Sequence, residues 1–382
     1  MKFLILQGEN GKPESPPLPY NIDNMIKLQA SVSKGWLNKE GGFKFTEKYY
    51  LDPMYRMEID KQCHHFIKSR FPVYPIYNME DNLVQAEFVV PEMILVGAIQ
   101  PNMIIAAALG AEFVFDPGKD SDVKGLPLKD LKSADELPDP ASLLKLPFIE
   151  ELERQYLSAK QNYPDKKIIP SFFWDTSGRA TIHGIITTSM KFMGDIIFIR
   201  MMEEPELVHA IHQWIADVYI SVIRHFAHIG EMDITSIHVG ECSGAMLDEH
   251  QYREFVTPYL NFLGRAFGSV RLHSCGNSDC IMPAICEVEN LSVIDTGSNT
   301  SIDAIRKLRG KEFEINVAPP VDVLLSKDED HMVRWLHRTI KENQNGNLKI
   351  VYHMEADYNE KSCVYISEYL SETGLLSLGR LH

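Results

Sequence analysis

The second half of the chain alternates with a fixed rhythm: short β-branched runs, each followed by a longer stretch of helical period. Strands are expected at Lys167–Phe173, Asp233–Val239, Val270–His273, Leu291–Ile294, Phe313–Val317 and Lys349–His353. The helices that follow them are expected at Pro205–Ile229, about Asp248 to Phe267, about Ser278 to Val288, Ser301–Leu308, Asp328–Glu342 and Glu360–Ser371. Strand–helix units in series require a mostly parallel sheet, because parallel neighbours need a helical crossover. Further units around Phe88–Val90 and Glu112–Phe115 bring the count toward eight. That count favours a closed (β/α)8 TIM barrel over an open doubly wound sheet. The lack of a Gly-x-Gly-x-x-Gly turn after any strand argues the same way.

The first 85 residues are different: rich in Tyr, Lys, Asn and Pro, with a few short helical patterns such as Pro53–Ser69. They are expected to form a mainly helical extension or cap that adds to the pocket or to a contact in a homodimer. The barrel then occupies residues 86–382, with a surface excursion between Pro117 and Pro140. The chain carries 38 basic and 53 acidic residues, a net charge of −15, and so repels phosphate backbones and anionic headgroups. No nucleic-acid or membrane role is expected. Met1–Leu6 is too short for the apolar core of a signal peptide, and Met103–Phe115 is too short and interrupted to span a bilayer, so the expected location is cytoplasmic. Six cysteines in 382 residues do not make a disulfide scaffold; four of them fall between 242 and 286.

In a parallel barrel the chemistry belongs at the carboxyl ends of the strands. Those ends offer Gly240-Glu241-Cys242-Ser243-Gly244, His273-Ser274-Cys275-Gly276-Asn277, Asp295, Asn316 and His353-Met354-Glu355. On an extended strand, residues two apart share a face, so His273 and Cys275 point together into the mouth. An imidazole and a thiolate suit Zn²⁺, which in catalytic sites takes three protein ligands and keeps an open position. Glu241 is the first candidate for the third ligand and a catalytic partner of His273 and Cys275. Glu355 or His353 could close the site instead. Cys242, of opposite parity, is assigned to the barrel wall, and Cys280, Cys286, Cys363 and Cys63 to simple packing. Trp174, Asp175, Tyr352 and Met354 stand beside expected strand ends and are candidates for lining the substrate pocket. Walker, nucleophile-elbow, His-Glu-x-x-His and Cys-x-x-Cys signatures are missing.

Four stretches together resemble the uroporphyrinogen decarboxylase superfamily, and within it the zinc methyltransferases that act on corrinoid proteins. They are Ala107 with Leu109-Gly110-Ala111-Glu112, Glu204-Pro205-Glu206-Leu207-Val208-His209, Tyr252-Arg253-Glu254-Phe255 with Pro258-Tyr259, and Leu272-His273-Ser274-Cys275-Gly276-Asn277. The similarity runs over roughly residues 100 to 380. It implies a β/α barrel with its site at the carboxyl mouth, Zn²⁺ as cofactor, and a corrinoid carried on a partner protein. Two departures stand out. The N-terminal Arg-Gln-Ala-Gly-Arg segment of true decarboxylases is missing, and Tyr352-His353-Met354-Glu355 stands where coenzyme M methyltransferases carry a zinc-binding cysteine. The expected activity is methyl transfer between a small molecule and a corrinoid protein. With an oxygen donor on the metal, this takes the form of O-demethylation of a methoxylated, aromatic compound. The alternatives are a decarboxylase of the same fold and a non-catalytic binding barrel.

Overall fold

Parity builds the wall of this protein. The computed structural model describes residues 25–72, 74, 76–79 and 93–377. Its strands are β1 (Ile26–Val32), β2 (Ile76–Met79), β3 (Ile94–Leu95), β4 (Glu112–Val114), β5 (Asp122–Lys124), β6 (Ile168–Ile169) and β7 (Arg179–His183). They continue with β8 (Ser236–Gly240), β9 (Ser269–Ser274), β10 (Leu291–Thr296), β11 (Glu314–Val317), β12 (Leu348–Met354) and β13 (Leu376–Ser377). The main sheet is parallel and runs β7-β8-β9-β10-β11-β12-β1, with β2 and β13 both on β1. This is chain order, cyclically permuted: an early strand closes in beside a late one. An open doubly wound sheet reverses its order instead. The fold is therefore the TIM barrel, with helical parts.

The two sides of this wall differ in chemistry. The Tyr352 hydroxyl donates to the carbonyl of Cys363 on the helix Glu360–Glu372, so its side of β12 faces the helices. Register carries that orientation round the sheet. Ile237, Val239, Leu272, Ile294, Ile315 and Ile350 face outward into the helix layer and are almost wholly buried. The inward side carries His238, Arg271, His273, Asp295, Asn316 and Lys349, matched in register from strand to strand. TIM barrels ordinarily fill that space with branched apolar residues. Here the hydrophobic effect acts between strands and helices, and the interior is polar.

Helices form where the sequence pattern placed them, with local corrections. Pro205–Gly230 buries Val208, Ile211, Ile215, Val218, Val222 and Phe226, the three-and-four spacing of an amphipathic helix. The stretch from Asp248 to Phe267 is two helices, Glu249–Phe255 and Thr257–Phe267. Pro258 lacks the N–H that would bond back into the preceding turn, so the chain breaks at Val256. Among the described residues, no helix is long and apolar enough to cross a membrane.

Other expectations fall differently. Glu112–Phe115 contributes β4 to an antiparallel hairpin with β5, not a barrel strand, because the Asp116-Pro117-Gly118 turn leaves no room for a crossover helix. Phe88–Val90 and Met1–Leu6 lie outside the described residues. In Lys167–Phe173 only β6 is a strand, and it pairs with β3. The wall strand in this region is β7, whose Arg-Ala-Thr-Ile-His pattern hides its apolar side. The first 85 residues supply the helices Lys34–Gly41, Glu47–Leu51 and Pro53–Arg70, but also β1, which pairs with β12 along six residues.

Because Leu272 sits fully buried between β9 and the helix layer, Leu272→Ala should cost about 2–5 kcal/mol of stability. Urea denaturation followed by far-UV circular dichroism measures this, and a cost under about 1 kcal/mol would contradict the assigned sidedness of β9.

Candidate metal centre

Strand β9 ends at Ser274, with His273 inside it and Cys275 one residue past its end. Strand β8 ends at Gly240, and the backbone leaves the extended conformation at Glu241 (φ −103°, ψ 50°) to enter the short 3₁₀ turn Cys242–Met246. Alternation holds only in extended chain. Gly240 pairs in register with His273 on the inward side, Cys242 follows it by two residues, and the turn carries Cys242 toward the end of β9. One ligand atom each from Cys242, His273 and Cys275 lies within 4.8 Å of the others. This is the group of potential metal donors that the described residues bring together.

The imidazole is oriented from behind. Asp295, in register with His273 on β10, places Oδ2 3.4 Å from His273 Nδ1 and accepts a 2.8 Å bond from Arg271 Nη2. Burial would raise the Asp295 pKa, but the flanking His273 and Arg271 hold its carboxyl well below the usual range. Burial would likewise lower that of His273, and the Asp295 carboxylate outweighs it, so the ring's pKa is raised well above its ordinary value. The thiols divide. The Cys242 S–H donating to Cys275, with His273 beside it, lowers Cys275 to about 4. That same bond to Cys275, then burial, pushes Cys242 up to about 12.

The donor set fits zinc. One nitrogen and two sulfurs are borderline-soft ligands, and the second ring nitrogen of His273 rests on a carboxylate, the usual outer partner of a metal-bound histidine. Two glycines permit this geometry. A Cβ at Gly297 would overlap the carbonyl oxygen of Cys275, and one at Gly184 would overlap the Glu241 carboxylate.

Glu241 lies beside the cluster with its oxygens already engaged. Oε1 accepts from the Thr187 backbone N–H and hydroxyl, both at 2.9 Å, and Oε2 from the Ile186 N–H at 3.4 Å. These are first-turn donors of the helix Ile185–Met193, which favour an anion. Burial nevertheless raises its pKa to about 7 against those bonds. Thr187 Oγ1 also accepts from the Ser243 N–H, so the carboxylate ties the Cys242 turn to that helix. Glu355 pairs with His353 at 3.2 Å, and the bonds from His353 and Ser33 lower its pKa. The structure does not bring Glu241 or Glu355 into the donor group.

The expected pocket residues also lie elsewhere. Trp174 is buried with the Arg56 guanidinium 5.5 Å from its ring, and Asp175 accepts from the Ser177 N–H and faces Arg179 at 3.7 Å. Both precede the amino end of β7 and do not follow the carboxyl end of a wall strand. Tyr352 and Met354 are buried on the helix side of β12. The sequence reading missed Cys242 as a donor, although the Ser-Gly after it signals that the strand has ended.

The uroporphyrinogen decarboxylase (URO-D) family profile matches residues 98–352, so the chain belongs to that family. Among solved structures it is similar to a methyltransferase from Methanosarcina mazei, at 12% identity and TM-score 0.59, covering 93% of this chain and 95% of that one. A candidate vitamin-B12 independent methionine synthase from Listeria monocytogenes aligns at 10% identity and TM-score 0.42, over 94% and 98% of the two chains. No curated protein sequence matches. The chain thus has a methyltransferase-like neighbour within its fold.

Asp295→Asn retains all three donors but removes the charge behind the imidazole, and zinc affinity should fall about 10–100-fold. Competition against a chromophoric chelator reads this; unchanged affinity would remove Asp295 from the site.

Proposed function

We propose that this protein is a zinc-dependent methyltransferase that moves a methyl group between a small substrate and a corrinoid protein, with Cys242, His273 and Cys275 as the metal ligands. The observation that carries the reading is the convergence of these three donors at the carboxyl mouth of a URO-D-family barrel. Zinc held by three protein ligands supplies Lewis acidity at an open fourth position.

The chain's own residues do the rest. Asp295 fixes the tautomer of His273 by accepting from Nδ1, which leaves Nε2 for the cluster. Glu241 holds the turn that carries Cys242, and Gly297 lets the Cys275 backbone settle against β10. All of these groups sit on strand ends or on turns bonded to helices, which keeps the site rigid. The pair of sulfurs bears on the substrate. Two thiolates donate more charge than a thiolate and a carboxylate would, so the metal is less acidic than the Glu241 set implied. The balance moves from a methoxy ether toward a thiol. The cobalt chemistry resides in the corrinoid, which a partner protein brings over the mouth.

Elemental analysis of purified protein should find about one zinc per chain, lost in Cys242→Ala, His273→Ala and Cys275→Ala and retained in Glu241→Gln and Cys280→Ala. Zinc loss in Glu241→Gln with retention in Cys242→Ala would return the oxygen donor to the site. Mixing the zinc protein with a methylated corrinoid protein and a small thiol, or with a reduced corrinoid protein and a methoxylated aromatic, should change the corrinoid absorbance faster in the thiol reaction. No change with either compound would refute the transfer.

A further inference from the structure

The inward side of the barrel carries polar atoms that the protein itself does not satisfy. Asn316 is fully buried, and neither its Oδ1 nor its Nδ2 has a hydrogen-bond partner. On neighbouring strands the same holds for Thr181 Oγ1, His238 Nδ1, Arg271 Nε, Arg179 Nε and Gln29 Oε1. All belong to the register class of His273, so they face one another across the interior. Thr181 and His238 are at most 2% exposed.

Buried polar groups in folded proteins are almost always paired, with protein, water or ligand. Unpaired atoms scattered singly would mark local irregularity. Most of those among the described residues are gathered on the inward face of one sheet, directly under the cluster of Cys242, His273 and Cys275, in a space that barrels of this kind normally fill with Val, Ile and Leu. We propose that the interior is a binding site for the carboxylate group of the small-molecule substrate. This rests on the methyl-transfer reading for the identity of the substrate's other end, but not for the existence of the site.

The open donors select an anion. The Arg179 and Arg271 side chains, each 12% exposed, stand on this face against the carboxylates of Asp175 and Asp295. Arg271 gives Nη2 to Asp295, and Arg179 lies 3.7 Å from Asp175. Each guanidinium still has its Nε–H directed at no protein acceptor. Those two N–H groups, the Asn316 amide and the Thr181 hydroxyl form a donor set matched to a planar carboxylate, the pairing for which guanidinium geometry is suited. Depth fixes the length of the ligand. Arg271 precedes His273 by two residues, one pleat repeat or roughly 7 Å along β9. A substrate whose reacting atom lies at the mouth and whose carboxylate reaches Arg271 therefore spans about that distance, the length of a para-substituted benzoate.

Isothermal titration of the purified protein with benzoate, and in parallel with the neutral benzyl alcohol of nearly the same shape, tests the charge selection. Benzoate should bind at least tenfold more tightly. Arg179→Gln and Asn316→Leu should each weaken benzoate binding about tenfold with zinc content unchanged. Asn316→Leu, which removes two unpartnered atoms and retains the volume, should also hold or raise the melting temperature. Equal binding of acid and alcohol, no binding of benzoate at 10 mM, or an affinity indifferent to both substitutions would overturn the proposal. The last outcome would place benzoate at the metal. A protein that binds benzoate in this way but holds no zinc would retain the interior site and refute the methyltransferase reading alone.

Discussion

One carboxylate organises the centre of this barrel. Asp295 lies in register with His273 and against Arg271, and it bonds to both. It is nearly buried, where an isolated carboxylate would be costly unless compensated by opposite charge. Two cations supply that compensation, and each in turn depends on it. The imidazole is held with Nδ1 toward Asp295, which leaves Nε2 for the cluster. The guanidinium is held below the mouth with one N–H still free. The metal donors above and the polar interior below thus share one acid, and a change at either reaches the other through it.

The second constraint is where the strands stop. Ligands two residues apart on one strand give a pair, and a catalytic zinc needs a third group from elsewhere. Strand β8 ends one residue before Glu241, and the following 3₁₀ turn carries Cys242 across to β9. Glu241 then anchors the turn by accepting from the first turn of the helix Ile185–Met193, where aligned peptide dipoles and free N–H groups favour negative charge. The acid that the strand end offered as a donor serves to place the cysteine that joins His273 and Cys275. Gly184 and Gly297 leave room for the two backbone approaches this needs.

How much could be read in advance follows from these two facts. The strand–helix rhythm from β8 to the helix Glu360–Glu372 was legible, because each strand buries one apolar side against helices and each helix shows a matching stripe. His273 and Cys275 were legible because both follow the alternation of a single strand. Cys242 was assigned to the wall because its parity was counted against Glu241; counted from His238 and Gly240, which the register turns inward, it falls on the side of His273. Strand β7 was missed for another reason: Arg179, Thr181 and His183 interrupt its apolar residues, and a polar interior looks like a loop when apolar runs mark strands. Tyr352 and Met354 were assigned to the pocket because they are large and near a strand end, yet their parity turns them to the helices.

That polar interior sets the terms on which the fold is stable. Each buried polar group without a partner costs about 1–3 kcal/mol, and the inward faces of β1, β7, β8, β9 and β11 carry several. A barrel selected for stability alone would place Val or Leu at Thr181, His238 and Asn316, as the outward faces do at Ile237, Leu272 and Ile315. The apolar contacts between sheet and helices are extensive enough to carry the fold without that contribution. What the interior gains is a set of oriented donors at fixed depth beneath Cys242, His273 and Cys275, held on strands that cannot shift independently. Preorganised polar groups of this kind act because the protein has already borne their desolvation. The stability given up within the wall and the reactivity offered at its mouth have a common origin in the residues that face inward.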